Sequence, residues 1–327
     1  MRVLFAGTPA PAVPSLEALI EGGHQVVGVV TRTDAKVGRK RVLTPSPVAA
    51  RAAELGLPVI KTDRLTGPEG QQAVEEIAAL QPDLGAVVAY GGLLPQEVLD
   101  MLPNGWVNLH FSLLPAYRGA APVQWAIINQ EPRTGAAVFQ LEAGLDTGPV
   151  FSTLTRDLAP DETAGEVLAD LAHQGATLLT DTLREIQSGT AQAIPQDGEP
   201  SWAPKLTSRQ VKIDPAQPAD AVRGLINGAS PAPGAWGMLE VGGTQAARFK
   251  VGRARPVSDA VETTKQPGEF VLESNRVLLV CQDGVIELTE VQPSGKKMMA
   301  ATDWARGVED TVRMHTSATN PDEFPQH

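Results

Sequence analysis

Two short apolar runs near the N-terminus, Arg2 to Ala6 and Val26 to Val30, are separated by a helical stripe of Leu16, Leu19 and Ile20 that ends at Gly22-Gly23. Neither run follows a helical period or alternates like a half-exposed strand, so each reads as a strand buried on both faces. Strand, helix and strand at this spacing imply a parallel pair joined by a right-handed crossover. The pattern continues. A helix is predicted from Pro45-Ser46-Pro47-Val48 to about Leu55, a short strand over 57–60 and an amphipathic helix over 69–80. A central strand follows over 83–90, another at 106–110, a helix at 122–128, strands at 134–141 and 150–155, and a long helix over 163–188. The fold class is α/β, with an N-terminal doubly wound, mainly parallel, Rossmann-like sheet.

The pattern then changes. Residues 189–205 carry Pro195, Gly198, Pro200 and Pro204 without any period, and read as a linker. Beyond a helix near 218–226 come short strands around 238–241, 247–251, 270–272, 277–281 and 285–288, the spacing of a small β-barrel. A length of 327 residues suits two domains. We expect a catalytic domain over 1–188, a linker over 189–207, a barrel over 208–314 and a frayed tail over 315–327.

Chemistry concentrates at Val107 to Gly119. Asn108 and His110 lie two apart on a predicted strand, so both face one side. An amide can donate to an oxygen that becomes negative during acyl transfer, and imidazole can move a proton near neutral pH. Asp146, in Gly144-Leu145-Asp146-Thr147-Gly148, is a candidate third member. It could orient the imidazole or take a proton. Each has a plainer alternative, His110 as a structural histidine and Asp146 as a turn residue, and spacing alone does not bring the two together. Ser112 is in register with the pair, but no Gly-x-Ser-x-Gly surrounds it, so direct transfer fits better than a covalent serine intermediate. Tyr90-Gly91-Gly92 follows the central strand, and its glycines permit either a close backbone approach to a ligand or simply a tight turn.

Other classes are excluded or unsupported. The first turn, Gly7-Thr8-Pro9-Ala10-Pro11, is not Gly-x-Gly-x-x-Gly, so a dinucleotide site has no support. The five histidines are scattered and show no metal spacing. The single cysteine, Cys281, lies in an apolar run, reads as an inert core thiol and fits a reducing compartment, the cytoplasm. The apolar start reads as a first strand rather than a leader, and no run reaches membrane-spanning length. Net charge is −11, yet Thr31 to Arg41 holds Arg32, Lys36, Arg39, Lys40 and Arg41 against one Asp. With no apolar period to hold it down, this stretch is expected to be an exposed, mobile loop, either merely solvated or contacting phosphates.

Asn108-Leu109-His110-Phe111-Ser112-Leu113-Leu114-Pro115 resembles the site of the folate-dependent formyltransferases, and Gly144 to Gly148 resembles their aspartate loop. Phe5-Ala6-Gly7-Thr8-Pro9 is similar to their first turn. Three further stretches resemble the members that formylate methionine on initiator tRNA. They are Tyr117 to Gln124, Pro45 to Val48 after a basic loop containing Gly38-Arg39, and Gln292 to Met298. The likeness runs to about residue 310.

The resemblance implies formyl transfer from 10-formyltetrahydrofolate to the α-amine of initiator methionyl-tRNA by a monomer, without a metal, and an OB-like second domain. It places Asn108, His110 and Asp146 as the catalytic trio. Ser112, Leu113, Leu114 and Pro115 become folate contacts, to which we add Tyr90 and Gly91. Arg39 falls in the loop that the family inserts at the tRNA acceptor end, and Lys205 where it keeps a basic residue. A-form RNA offers proteins its ends and phosphates rather than its base edges. The expected tRNA contacts are therefore Arg32, Lys36, Arg39, Lys40, Arg41 and Lys205, joined on the barrel by Arg248, Lys250, Arg253, Arg255, Lys296 and Lys297. Phe111 departs from the family's small residue and is expected to narrow or reorient the folate pocket. Ala10-Pro11 and Pro215 also depart from it. The rival readings are formylation of a small amine, hydrolysis of the formyl-folate, and a noncatalytic RNA-binding protein.

Overall fold

The computed structural model describes residues 1–316 apart from 39, 245, 260, 262, 309 and 310. It divides into two compact units. The first comprises Met1–Pro122, Thr134–Arg156 and Leu168–Pro204. The second is Val123–Arg133, Asp157–Val167 and the chain from Lys205. The second unit thus takes in two short pieces of chain that precede the change of pattern at 189.

The first unit begins with β1 (Arg2–Gly7), α1 (Val13–Glu21) and β2 (Gln25–Thr31). The basic stretch follows as β3 (Ala35–Val37) and β4 (Val42–Thr44). Next come α2 (Pro47–Glu54), β5 (Val59–Lys61), α3 (Gly67–Ala79), β6 (Leu84–Val88), α4 (Gln96–Leu99) and β7 (Trp106–His110). After α5 (Pro122–Ile128), which past Pro122 belongs to the second unit, the sheet is completed by β8 (Arg133–Gln140) and β9 (Val150–Asp157), and α6 (Ala164–Ser188) follows. The sheet order is β5-β2-β1-β6-β7-β8-β9. The first five strands in that order run parallel, and β8 pairs antiparallel with β7. The chain starts in the middle, builds outward through β2 and β5, then crosses to β6 and β7. The switch in direction therefore lies between β1 and β6, where open α/β sheets form their ligand crevice at the carboxyl ends. Thr8, just past β1, donates its hydroxyl to the carbonyl of Tyr90, just past β6, at 2.8 Å.

Close packing sets β7 in place. Gly85 pairs with Trp106 across β6 and β7, and a Cβ on Gly85 would lie 2.0 Å from the indole. The buried Trp106 Nε1 donates to the Val98 carbonyl at 2.8 Å, so this large side chain leaves no unpaired donor. Ser46 caps α2 by accepting from the Ala49 amide at 3.0 Å. The basic stretch is a short antiparallel ribbon rather than a free loop, pairing Val37 with Val42 and Lys36 with Leu43. Val37, Val42 and Leu43 are exposed. A ribbon solvated on both faces needs no apolar alternation, which is why the sequence shows none.

In the second unit α7 (Ala219–Gly228) precedes β10 (Ala235–Val241), β11 (Ala247–Pro256), β12 (Phe270–Leu272), β13 (Val277–Val280) and β14 (Val285–Gln292). Then come β15 (Met299–Ala300), α8 (Ala301–Ala305) and β16 (Val312–Met314). The order β12-β13-β14-β11-β10-β16 nearly closes, because Arg313 bridges back to Glu269, the residue before β12. Phe249 and Phe270 pack on Trp304, with ring centroids 4.9 and 5.9 Å away. Asn227 ties α7 to β11 through both ends of its amide, each 2.9 Å from the Ala254 backbone. Cys281 is buried, and burial pushes its thiol up to about 12, so it stays protonated and inert. A cavity of about 620 Å³ lies in this unit among Pro256, Lys265, Cys281 and Asp283, and none of the candidate active-site residues lines it. No described helix is long and apolar enough to cross a membrane.

Candidate active site

The site is built at the carboxyl end of β7. Asn108 is partly buried, and its Oδ1 is fully enclosed with no hydrogen-bond partner. His110 is 7% exposed. Its Nε2 lies 2.9 Å from the Tyr117 carbonyl, and its Nδ1 lies 3.8 Å from Asp146 Oδ2. The second distance is too long for a hydrogen bond but keeps the carboxylate beside the ring. A ring nitrogen facing a carbonyl carries the proton, which fixes one end of the imidazole as a donor.

The turn after β7 holds these groups. Ser112 is fully buried and donates its hydroxyl to the Ala116 carbonyl at 2.6 Å, so it closes the turn. The Leu114-Pro115 peptide bond is cis. Asp146 sits between β8 and β9, is 8% exposed, and accepts the Gly119 amide on Oδ2 at 2.7 Å. Both supporting glycines are required by close approach. A Cβ on Gly119 (φ +124°) would meet the Ala203 carbonyl at 2.7 Å. One on Gly148 would meet the Gln140 carbonyl at 1.8 Å.

Among the expected folate contacts, Leu113 packs on Gly135, and Leu113, Leu114 and Pro115 are half-buried in the same turn. Tyr90 and Gly91 follow β6, beside β7 at the same sheet edge. The Tyr90 ring itself is in the core, 2% exposed, with its hydroxyl donating to the Thr62 carbonyl at 3.2 Å. Burial pushes its hydroxyl up to about 12. Only the backbone of the Tyr90-Gly91 turn is left to face a ligand. Phe111 is 6% exposed, so its ring is largely buried beside the site.

The basic residues divide. Lys36, Lys40, Arg41, Lys205, Lys296 and Lys297 are exposed, while Lys250 is half-buried. Arg39 lies outside the described residues. Arg32 is engaged, with Nε 2.6 Å from Asp63 Oδ1 and Nη1 donating to the Gly91 carbonyl at 2.6 Å. Arg248 stacks on Trp236 at 4.1 Å and donates to the Ser208 hydroxyl at 2.8 Å. Arg253 pairs with Glu166 at 2.9 Å and Arg255 with Asp161 at 3.4 Å.

The sequence reading missed the segment after α6. It is extended, and it lays polar atoms on the site. Val150 bridges to Ile194, and Arg118 to Trp202. The Ser201 hydroxyl accepts the Tyr117 amide at 2.8 Å, and the Ala203 amide donates to the Arg118 carbonyl at 2.7 Å. Gln196 contacts both Arg118 and the Asp146 loop. Absence of period is the signal of a connection, and extended chain pairing by backbone leaves the same absence.

Fold and site together define a formyl-transferring enzyme of two units. Residues 1–183 match the formyl transferase family and residues 205–309 the formyl transferase C-terminal domain. The methionyl-tRNA formyltransferase of Arthrobacter sp. (strain FB24) is 53% identical over 94% of this chain and 97% of its own. That of Salinispora arenicola is 48% identical over 95% and 98%. The chain belongs to the methionyl-tRNA formyltransferase family. Among solved structures, an N-formyltransferase from Helicobacter canadensis in complex with folinic acid and dTDP-3-aminofucose is similar in fold, with TM-score 0.66 and 17% identity over 89% of this chain and 98% of that one. HypX from Aquifex aeolicus in complex with tetrahydrofolic acid gives TM-score 0.59 and 18% identity, covering 93% and 46%.

Proposed function

We propose that Asn108, His110 and Asp146 carry formyl transfer from 10-formyltetrahydrofolate to the α-amine of methionine on initiator tRNA. The observation that carries this reading is their convergence: two come from one strand end, and a carboxylate 36 positions later lies 3.8 Å from the imidazole. The donor supplies, when bound, a formyl carbon on a nitrogen that can leave. The residues present fit the transfer of that carbon to an amine. Asn108 Oδ1 is buried without a partner, a defect costing about 1–3 kcal/mol. An incoming amine N–H would satisfy it.

Asn108 donates its amide hydrogens to the formyl oxygen as that oxygen gains charge, a contribution of about 3–4 kcal/mol for such donors. His110, in its protonated form, stabilises the same charge and returns a proton to the departing nitrogen. Asp146 stabilises the imidazolium and assists removal of the amine proton. The turn from Ser112 to Pro115, with the backbone at Tyr90 and Gly91, borders the donor beside the β1–β6 crevice. The cations Lys36, Arg39, Lys40 and Arg41 contact phosphates of the acceptor stem, with Lys205, Arg248, Lys250, Lys296 and Lys297 as further contacts. Arg32, tied to Asp63, serves the root of this arm. The trio Asn108, His110 and Asp146 lies within the first unit, and our reading is of an enzyme working as a monomer on an acceptor used in the cytoplasm.

The test is radiolabelled formyl transfer to charged initiator tRNA, charged elongator methionyl-tRNA and free amines, including amino sugars. Preference for the initiator species supports the reading. Equal transfer to the elongator tRNA or to an amino sugar sinks the acceptor assignment.

A further inference from the structure

The extended segment between α6 and the barrel carries one residue whose contacts close a ring around Asp146. Gln196 Nε2 donates to the carbonyl of Asp146 and to that of Gly148, both at 2.8 Å. Its Oε1 accepts from Arg118 Nη2 at 2.6 Å and Nε at 3.2 Å. The amide can sit only one way round, since a flip would set an acceptor against two carbonyls and a donor against a guanidinium. The next residue after Arg118 is Gly119, whose amide holds the Asp146 carboxylate. Arg118-Gly119 therefore grips Asp146 at both ends, its backbone through Gln196 and its side chain directly.

Asp146 requires such a grip. Its φ of +52° is a left-handed conformation that few residues other than glycine adopt. Strained backbone of this kind persists only where its surroundings over-determine it. A carboxylate meant to act on a neighbouring imidazole must be held to a fraction of an ångström.

We propose that Gln196 is a positioning residue for formyl transfer, fixing the loop that presents Asp146 to His110, and that the segment carrying it belongs to the catalytic machinery. The proposal rests on the reading of Asp146 given above.

A double-mutant cycle in the full chain tests it, with initiator methionyl-tRNA and 10-formyltetrahydrofolate and with thermal midpoints measured alongside. Gln196→Ala is expected to lower kcat about ten- to a hundredfold with KM for both substrates little changed. Gln196→Glu keeps the contact with Arg118 but loses both donors. It should lose as much kcat as Gln196→Ala while melting no lower. In the Asp146→Asn background, Gln196→Ala should add little, because its effect runs through the residue already removed. Wild-type kcat in Gln196→Glu overturns the proposal, as does a loss that multiplies fully with that of Asp146→Asn, or a change confined to KM. Near-normal turnover in Asp146→Asn alone removes the premise, and is distinguishable because it needs no Gln196 variant.

Discussion

The exit of β7 and the basic arm after β2 belong to the same unit but hold their polar groups in opposite ways. At the β7 exit, His110, Ser112, Tyr117, Arg118 and Gly119 each have a partner within the fold, and the partners come from three separate stretches of chain. In the arm, Lys36, Lys40 and Arg41 project from a two-stranded ribbon and are exposed. Among the described residues its root is fixed, by Arg32 and Thr33 on Asp63 and by Asp34 on Lys61. The difference follows from what each region has to do. Stabilising charge on one atom needs dipoles already aimed at it. Attracting a polyanion needs cations that remain hydrated and free to reach phosphates. On the function proposed above, one region contributes to kcat and the other to use of tRNA.

The largest expected effect tests that division directly. Asn108→Ala, His110→Ala and Asp146→Ala should each lower kcat at least about a hundredfold with tRNA affinity, by filter binding, little changed. A parallel fall in affinity would mean the two regions act as one. Next in size is Gly148→Ala. Its Cβ would lie 1.8 Å from a backbone oxygen, so the Asp146 loop must shift. We expect kcat to fall by about tenfold or more and stability by about 1–3 kcal/mol, read by turnover and thermal unfolding. Unaltered kcat at lowered stability would show that the loop need not be rigid.

Smaller effects are expected in the arm. Replacing Lys36, Lys40 and Arg41 by Ala should raise KM for tRNA with kcat almost unchanged. The log–log salt dependence should flatten by about one for each phosphate no longer neutralised. An unaltered salt slope would make these cations merely solvated. The smallest effect concerns the root. The Thr33 hydroxyl, then Arg32, hold the Asp63 carboxyl below its usual range. A lowered folded-state value contributes stability above the ordinary carboxylate pKa of about 3.9, and that contribution is lost as pH falls through the lowered value. Amide exchange at Thr33, corrected for intrinsic pH dependence, should quicken slightly in Asp63→Asn at neutral pH. In the wild-type chain the same quickening should be confined to acid. Equal exchange in both proteins at neutral pH would remove Asp63 as the anchor.

Much of the fold was legible because strand burial leaves a direct trace. The apolar runs of β1, β2, β6 and β7 marked a parallel sheet, and short strands at close spacing marked the barrel. Asn108 and His110 were legible as a pair because strand geometry alone puts them on one face. Less legible were pairings between distant stretches. Nothing near Val123 or Asp157 announces that these pieces belong with the barrel unit. There, Gly228 packs so closely on Ile128 that an added Cβ would lie 2.6 Å from its side chain. The arm was expected to be a loop because a solvated ribbon carries no burial pattern.

By itself the sequence determined which residue types stand at the β7 exit and, through local periodicity and charge, which segments are buried and which face water. Tertiary structure alone decided that Asp146 comes to His110, that Tyr90 turns its ring into the core, and that Arg32 is tied to Asp63 while Lys36 is exposed. It also decided that Gln196, in a stretch without any pattern, reaches the carbonyls of Asp146 and Gly148. The physical reason is that burial and strand alternation act over a few neighbouring residues and write themselves into composition. Hydrogen bonds between segments tens of residues apart depend on where the whole backbone brings them, and a single glutamine among prolines and glycines carries no local sign of its partners.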